Sequence, residues 1–217
     1  MQKKYKCFLF DLDGTLLDTA PEFLISLNSL LKKNKMHLVS DSFVRIRVSD
    51  GVGRLVQDSF KINEDHSEFE NLRNKLLDEY HKNFLLSKTF SGVDQILNKL
   101  TINKIDWMIV TNKPKRFSHE ICKKFMWDKY AKAIISPDDV KGKRKPDPAT
   151  LNAALSKTSI SKKESVYVGD NWRDLEAAEN AKITPIFAEY GYVKAENYPL
   201  NKRGFNIKNI REILSFI

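Results

Sequence analysis

An apolar run from Tyr5 to Phe10 stops at Asp11-Leu12-Asp13-Gly14-Thr15. In an extended chain, residues two apart point to the same face, so Asp11 and Asp13 converge wherever that geometry continues through Leu12. Two carboxylates that close repel each other, and a cation or a shared proton relieves the repulsion. Gly14 then permits a tight turn. The same letters also fit an ordinary strand leaving the core through a polar turn, where Asp and Gly are common.

Polar groups stand after other apolar runs too. Thr111 and Asn112 follow Ile105–Val110, and Gly169-Asp170 closes Ser165–Val168, with Asp174 four residues further on. Lys145 sits in a loop, because Pro146 keeps the residue before it out of helical geometry. Asp11, Asp13 and Asp170 are hard oxygen ligands of the kind magnesium takes alongside water or phosphate oxygens. The Thr111 hydroxyl and the Lys145 ammonium suit phosphate oxygens. Each residue also has a plain alternative. Thr111-Asn112 fits a turn, Asp170-Asn171 an Asx turn, Asp174 a charge at a helix N-terminus, and Lys145 a solvated lysine. Their recurrence on successive strand ends favours a single site.

The elements that must position these groups follow from periodicity. After Asp18, Thr19 is a candidate N-cap with Pro21 in the first turn, and Phe23, Leu24, Leu27, Leu30 and Leu31 form one apolar helical face. Ser40 caps a short helix carrying Phe43 and Val44, a further helix runs from Val52 to Phe60, and Ser67 to Leu86 has the longest helical pattern. No strand is expected between Asp18 and Leu86, so residues 19–86 form a helical insertion. From Phe90 onward helices and strands alternate. Helices are expected from Gly92 to Leu100, from Pro114 to Trp127, from Pro148 to Leu155, from Leu175 to Ala181 and from Ile207 to Ile217. Strands are expected at Ile105–Thr111, Ala133–Ser136, Ser165–Gly169 and Thr184–Ala188. Such alternation implies an α/β fold with a doubly wound, mostly parallel sheet. Residues 1–18 and 87–217 would form this core, and in such sheets ligands bind beyond the carboxyl ends of the strands.

The chain has 217 residues, is 41% hydrophobic and carries 37 basic against 28 acidic residues, a net charge of +9. No apolar run approaches the roughly 20 residues of a membrane span, and the basic start lacks a signal-peptide apolar region, so a cytoplasmic protein is expected. The positive excess is spread along the chain. Its one dense cluster, Lys141, Lys143, Arg144 and Lys145, is flanked by Asp138, Asp139 and Asp147. No helix-turn-helix, zinc-finger or aromatic RNA-binding signature accompanies it, and nucleic acid is not an expected partner. Cys7 and Cys122 are expected to be buried free thiols.

The segments DLDGTLLDT (11–19), VTNK (110–113), KPDP (145–148) and VGDNWRD (168–174) resemble, in this order, the four motifs of the haloacid-dehalogenase-like hydrolase superfamily. The resemblance spans essentially the whole chain. The helical block lies where members with a small α-helical cap carry it. Within the superfamily the chain is most similar to the phosphoglycolate phosphatase group. VSDGVGRLV (48–56), WMIVTNKPKRF (107–117), ISPDDVKGKRKPDP (135–148) and YGYV (190–193) are similar to its N-acetylmuramate 6-phosphate phosphatase branch.

The resemblance implies a Rossmann-like core with an inserted helical cap, and a magnesium-dependent, two-step phosphoryl transfer from a small phosphorylated metabolite. Asp11 would be the nucleophile and Asp13 the proton donor and acceptor. Thr111 and Lys145 would hold the phosphoryl oxygens. Mg2+ would lie on Asp11, the Asp13 main-chain carbonyl and Asp170, with Asp174 supporting it. Gly14, Asn112, Lys113 and Arg54 are substrate-binding candidates, and Arg45, Arg47 and Arg116 are further cations for an acidic leaving group. A monomer or homodimer is expected. A dehalogenase is disfavoured because Asp13 matches the phosphatase pattern. A sugar phosphomutase of the same superfamily would keep both aspartates. A basic nucleic-acid or partner-binding protein on an inactive scaffold conflicts with the intact polar positions of all four motifs.

Overall fold

The computed structural model describes residues 4–192 and 204–217. Strand β1 (Cys7–Phe10) is solvent-free along its whole length. Such a strand must be covered on both faces, which explains why its letters run apolar without alternation. It lies at the centre of a six-stranded sheet in the order β5-β4-β1-β6-β7-β8, formed with β4 (Asp106–Val110), β5 (Ile134–Ile135), β6 (Ser165–Gly169), β7 (Thr184–Ala188) and β8 (Phe205–Ile207). Every pairing in this sheet is parallel. The chain builds outward from β1 through β4 to β5, then crosses back to β6 and builds the other way. The direction of winding therefore reverses at β1, the place where an open α/β sheet leaves a crevice at its carboxyl edge.

Helices α5 (Val93–Ile102), α6 (Lys115–Lys124), α7 (Ala149–Leu155) and α8 (Trp172–Ala181) supply the crossovers. On one face Cys7, Leu9, Met108, Val110 and Tyr167 pack with Leu151, Ala154, Ala177 and Ala178 of α7 and α8. The alternate residues Phe8, Phe10, Trp107 and Ile109 point to the opposite face and are equally buried. In register, Phe10 lies beside Ile109 and Val168. The chain thus leaves β1, β4 and β6 at one level, at Asp11, Thr111 and Asp170.

By packing, the chain divides into two units, residues 1–17 with 89–217 and residues 18–88. The second holds α1 (Ala20–Lys33), α2 (Asp41–Val48), α3 (Val52–Phe60) and α4 (Phe69–His81). Phe23 of α1 stacks on Tyr80 of α4 with ring centroids 4.0 Å apart, and Leu27, Val44, Leu55, Val56 and Leu76 are buried around it. Glu79 ties α4 to α1 by accepting from Ser29 and Lys33, and it also accepts from Lys82. Two short strands, β2 (Leu17–Asp18) and β3 (Lys88–Thr89), pair where the chain enters and leaves this unit.

The parallel, doubly wound sheet expected from the alternation is present. Local differences have identifiable causes. Thr19 occupies the N-cap of α1 without a side-chain cap bond, and the Asp18 carboxylate instead accepts from the Ala20 N–H at 3.4 Å. Ser40 does cap α2, accepting from Phe43 N–H. The long helix expected to reach Leu86 ends at His81, with a separate 3-10 turn at Phe84–Leu86. There Asn83 folds its amide back onto the Glu79 carbonyl, and Leu85 and Leu86 are exposed, so the apolar spacing does not continue. The C-terminal segment is the strand β8 followed by a 3-10 helix, Ile210–Phe216, rather than one α-helix. Its buried residues Ile210, Ile213 and Phe216 recur every third position, the period of a 3-10 helix. Val193 of the YGYV segment and the basic start Met1–Lys3 lie outside the described residues. No helix among the described residues is long and apolar enough to cross a membrane.

Candidate active site

Asp11 follows β1 directly, and its main-chain N–H still continues the ladder to Val168 O at 2.8 Å. The side chain is 8% exposed. Lys145, from the loop before α7, places its ammonium 2.7 Å from Asp11 Oδ1, 2.6 Å from Asp174 Oδ1 and 2.7 Å from the Tyr167 hydroxyl. Asp174 stands in the first turn of α8. Its Oδ2 accepts from Asn171 N–H in a reciprocal cap at the helix start, so capping chemistry is what sets the carboxylate next to Lys145. Gly169 is needed here for space, since a Cβ would lie 2.3 Å from that of Asp174.

Asp13 is turned a different way. Lys113 donates to both of its oxygens, at 2.9 and 3.1 Å, and Lys113 is itself only 7% exposed. Thr111, at the end of β4, accepts the Lys113 N–H on its Oγ1 at 3.0 Å, which keeps Lys113 close to the strand end. Asn112 accepts from the Lys145 N–H at 2.9 Å and donates to the Lys145 carbonyl at 3.2 Å. This residue, expected to bind substrate, grips the main chain that presents the ammonium.

Gly14, also expected to bind substrate, has φ of +86° and no room for a side chain, because a Cβ would lie 2.3 Å from Asp170 Oδ2. Its bareness lets the turn after β1 close onto Asp170, which is fully buried. Asp11, Asp170 and Asp174 offer carboxylate oxygens that all lie within 4.8 Å of one another, and Asp13 is not in that group. The donor set consists only of hard oxygens, the set a magnesium-like cation prefers. Charge points the same way. The carboxylates of Asp11, Asp13, Asp170 and Asp174 face two ammonium groups, Lys113 and Lys145, and the excess of two negative charges is what one divalent cation neutralises. These residues fit a divalent metal.

Burial pushes the Asp11 carboxyl up to about 7, against the opposing pull of Lys145. Burial alone would lower Lys145, but Asp11 and Asp174 outweigh it and hold the ammonium above the usual lysine range. Tyr167 escaped sequence reasoning because it lies inside an apolar strand and reads as core. Its hydroxyl donates to Val110 O at 2.7 Å while accepting from Lys145. A phenol in a strand otherwise made of buried aliphatic residues was the available signal, since a buried Tyr hydroxyl needs a partner.

Arg54 belongs to the helical unit, on α3. It pairs with Asp58 at 3.1 Å, with its side chain 52% exposed. The same carboxylate is held by Arg47 at 2.6 Å, and Arg47 rests over the Phe43 ring at 3.8 Å. Arg47, Arg54, Asp58 and Lys61 line a cleft of about 580 Å³. Arg45 is committed to Asp18 and Asp41. Arg116 lies over Phe117.

A family model described as haloacid dehalogenase-like hydrolase matches residues 8–188. The chain is similar to an N-acetylmuramic acid 6-phosphate phosphatase of Pseudomonas aeruginosa, at 33% identity over 90% of this chain and 87% of that one. It is similar at 33% identity to a phosphoglycolate phosphatase of Xylella fastidiosa, over 88% of this chain and 83% of that one. Its fold matches the crystal structure of a haloacid dehalogenase-like hydrolase from Bacteroides fragilis with a TM-score of 0.85 at 21% identity, covering 97% of this chain and 100% of the other.

Proposed function

The chain belongs to the haloacid dehalogenase-like hydrolases, within which it is a phosphoric monoester hydrolase, and we propose that it acts with magnesium on a small phosphorylated metabolite through an aspartyl-phosphate on Asp11. The observation that carries this reading is the grip of Lys145 on Asp11 at 2.7 Å and on Asp174 at 2.6 Å, at the end of the central strand. With Oδ1 held by the ammonium, Asp11 Oδ2 attacks phosphorus in line. The P–O bond to the leaving group breaks as the new bond forms, which divides one difficult displacement into two.

Asp13 gives a proton to the leaving oxygen in the first step. In the second it takes one from the water that attacks the aspartyl-phosphate, releasing phosphate and restoring Asp11. Such proton transfer contributes about 10²- to 10⁴-fold. Lys113, on both Asp13 oxygens, holds that carboxylate apart from the cluster of three. The Thr111 hydroxyl accepts from Lys113 N–H and can donate its own proton to a phosphoryl oxygen, and the Lys145 ammonium meets another. Asp11, Asp170 and the Asp13 main-chain carbonyl would hold Mg2+, with Asp174 completing the carboxylate group. When bound, the ion supplies positive charge that offsets repulsion between the nucleophile and the phosphoryl oxygens.

The helical unit would act as the cap that selects the leaving group, as lids do, with Arg54 as its candidate cation. 2-Phosphoglycolate and N-acetylmuramate 6-phosphate are the leading candidate substrates, on the strength of the relatives described above. Each carries a carboxylate in addition to its phosphate.

The test compares kcat/KM on these two esters and on several neutral sugar phosphates, with magnesium and with excess chelator, for the wild type and Asp11→Asn. Phosphate release that needs the metal and disappears in Asp11→Asn supports the proposal. Robust turnover by that variant, or activity unchanged by chelator, would falsify it.

A further inference from the structure

The turn after β7 touches two parts of the site without contributing a ligand or a catalytic group to it. Tyr190, Gly191 and Tyr192 follow the strand directly, and the Gly191 N–H closes the turn onto Ala188 O at 3.0 Å. Each residue makes a different contact. The Tyr190 hydroxyl donates to Thr15 O at 3.0 Å, gripping the loop that follows Asp11 and Asp13. The Tyr192 N–H donates to Asp170 Oδ2 at 2.9 Å. Between them, Gly191 passes so close that a Cβ would lie 2.3 Å from Asp170 Cβ and 2.6 Å from Gly14 O. The Phe90 ring meets both tyrosines edge-on, with centroids 5.5 Å from Tyr190 and 6.2 Å from Tyr192.

We propose that Tyr190-Gly191-Tyr192 is a positioning clamp that fixes the Asp170 carboxylate and the Asp11–Thr15 loop relative to each other, and so sets the affinity of the carboxylate cluster for a divalent cation. A carboxylate on a turn can rotate about two bonds. The Tyr192 N–H holds one of its oxygens, and the bare face of Gly191 removes the space into which the side chain could swing. The same turn holds the Thr15 carbonyl, two residues beyond Asp13, so both sides of the cluster are referred to one rigid segment. Partners outside the ligand shell orient first-shell ligands and typically change metal affinity by about 10- to 100-fold when lost. Gly191 is thus a glycine for close approach to Asp170, not for a special backbone angle.

This inference rests on the divalent site of the proposed function, and the experiment separates the two. Titration of metal-free protein with Mn2+ and with Mg2+ by calorimetry gives Kd without any turnover, and a thermal melt of the same samples reports the fold. Wild type that fails to bind either ion removes the metal site itself. Given wild-type binding, Gly191→Ala is expected to weaken Kd by about 10-fold or more with metal-free Tm little changed. A lowered Tm with wild-type Kd assigns Gly191 to packing alone and overturns the clamp. Should Gly191→Ala not fold, Tyr190→Phe retains the ring and removes only the bond to Thr15 O. It is expected to weaken Kd several-fold, and wild-type affinity in that variant overturns the clamp equally.

Discussion

The Lys145 ammonium lies 2.7 Å from Asp11 Oδ1, and both groups are buried at the end of the central strand. That single cation also serves Asp174, so its removal strands two carboxylates. Lys145→Met is expected to reduce kcat by about 10²- to 10³-fold, the usual loss for one preorganised donor. Breaking a buried pair from one side also costs about 3–5 kcal/mol of stability. Steady-state kinetics and urea unfolding measure the two effects, and near wild-type kcat would refute the role given to Lys145.

Tyr167 accepts from Lys145 and donates to Val110 O. Phenylalanine keeps the ring in its packing but leaves a buried carbonyl and one ammonium hydrogen without that partner, at a cost of about 1–3 kcal/mol. Tyr167→Phe should therefore lower kcat while KM changes little, because the hydroxyl aims a catalytic group and lies outside substrate contact. A rise in KM with kcat intact would show that the hydroxyl acts on binding instead.

Arg54 carries the most exposed guanidinium of the α2–α3 cleft, since Arg47 is more deeply held against Asp58 and Phe43. If it meets a leaving-group carboxylate, Arg54→Ala should raise KM by roughly 10-fold or more for a carboxylate-bearing ester, the value of a charge-assisted bond. Neutral phosphomonoesters should be unaffected. Equal changes for both substrate types would exclude recognition of the carboxylate by this residue.

The Glu79 carboxyl is held down at about 2, chiefly by bonds from Lys33 and Lys82, against an ordinary value of 4.5. A depressed folded value contributes stability that is fully present above 4.5 and is lost as pH falls toward 2. Glu79→Gln should thus cost roughly 1–2 kcal/mol at neutral pH and almost nothing near pH 2. Thermal melts of both proteins across that range check the convergence, and a pH-independent difference would contradict it.

Much of this was legible in the letters, for a physical reason. β1, β4 and β6 are covered on both faces, so they are written as unbroken apolar runs, and the polar residues that end them mark the edge of the sheet. Asp11, Thr111 and Asp170 were visible for that reason alone. The partner of Asn112 was not, because it is the main chain of a residue 33 positions later, and no local pattern encodes a bond across two loops. Tyr167 was hidden by the same apolar context that revealed its strand. The end of α4 was overrun because Leu85 and Leu86 keep apolar spacing while facing solvent. The C-terminal segment was assigned the wrong helical period, since residues three apart suit both kinds of helix over so short a span.

Cys7 opens the strand that delivers Asp11, and Cys122 lies within α6; both thiols are fully buried and pushed up to about 12 by that burial. Sulfur attacks as the thiolate, so neither cysteine can answer an oxidant or an alkylating reagent while the sheet is closed. The folded molecule is chemically silent at sulfur, and its only two thiols become reactive in the act of losing the strand that holds the nucleophile. Irreversible oxidative damage would therefore fall first on molecules that have already opened and ceased to turn over.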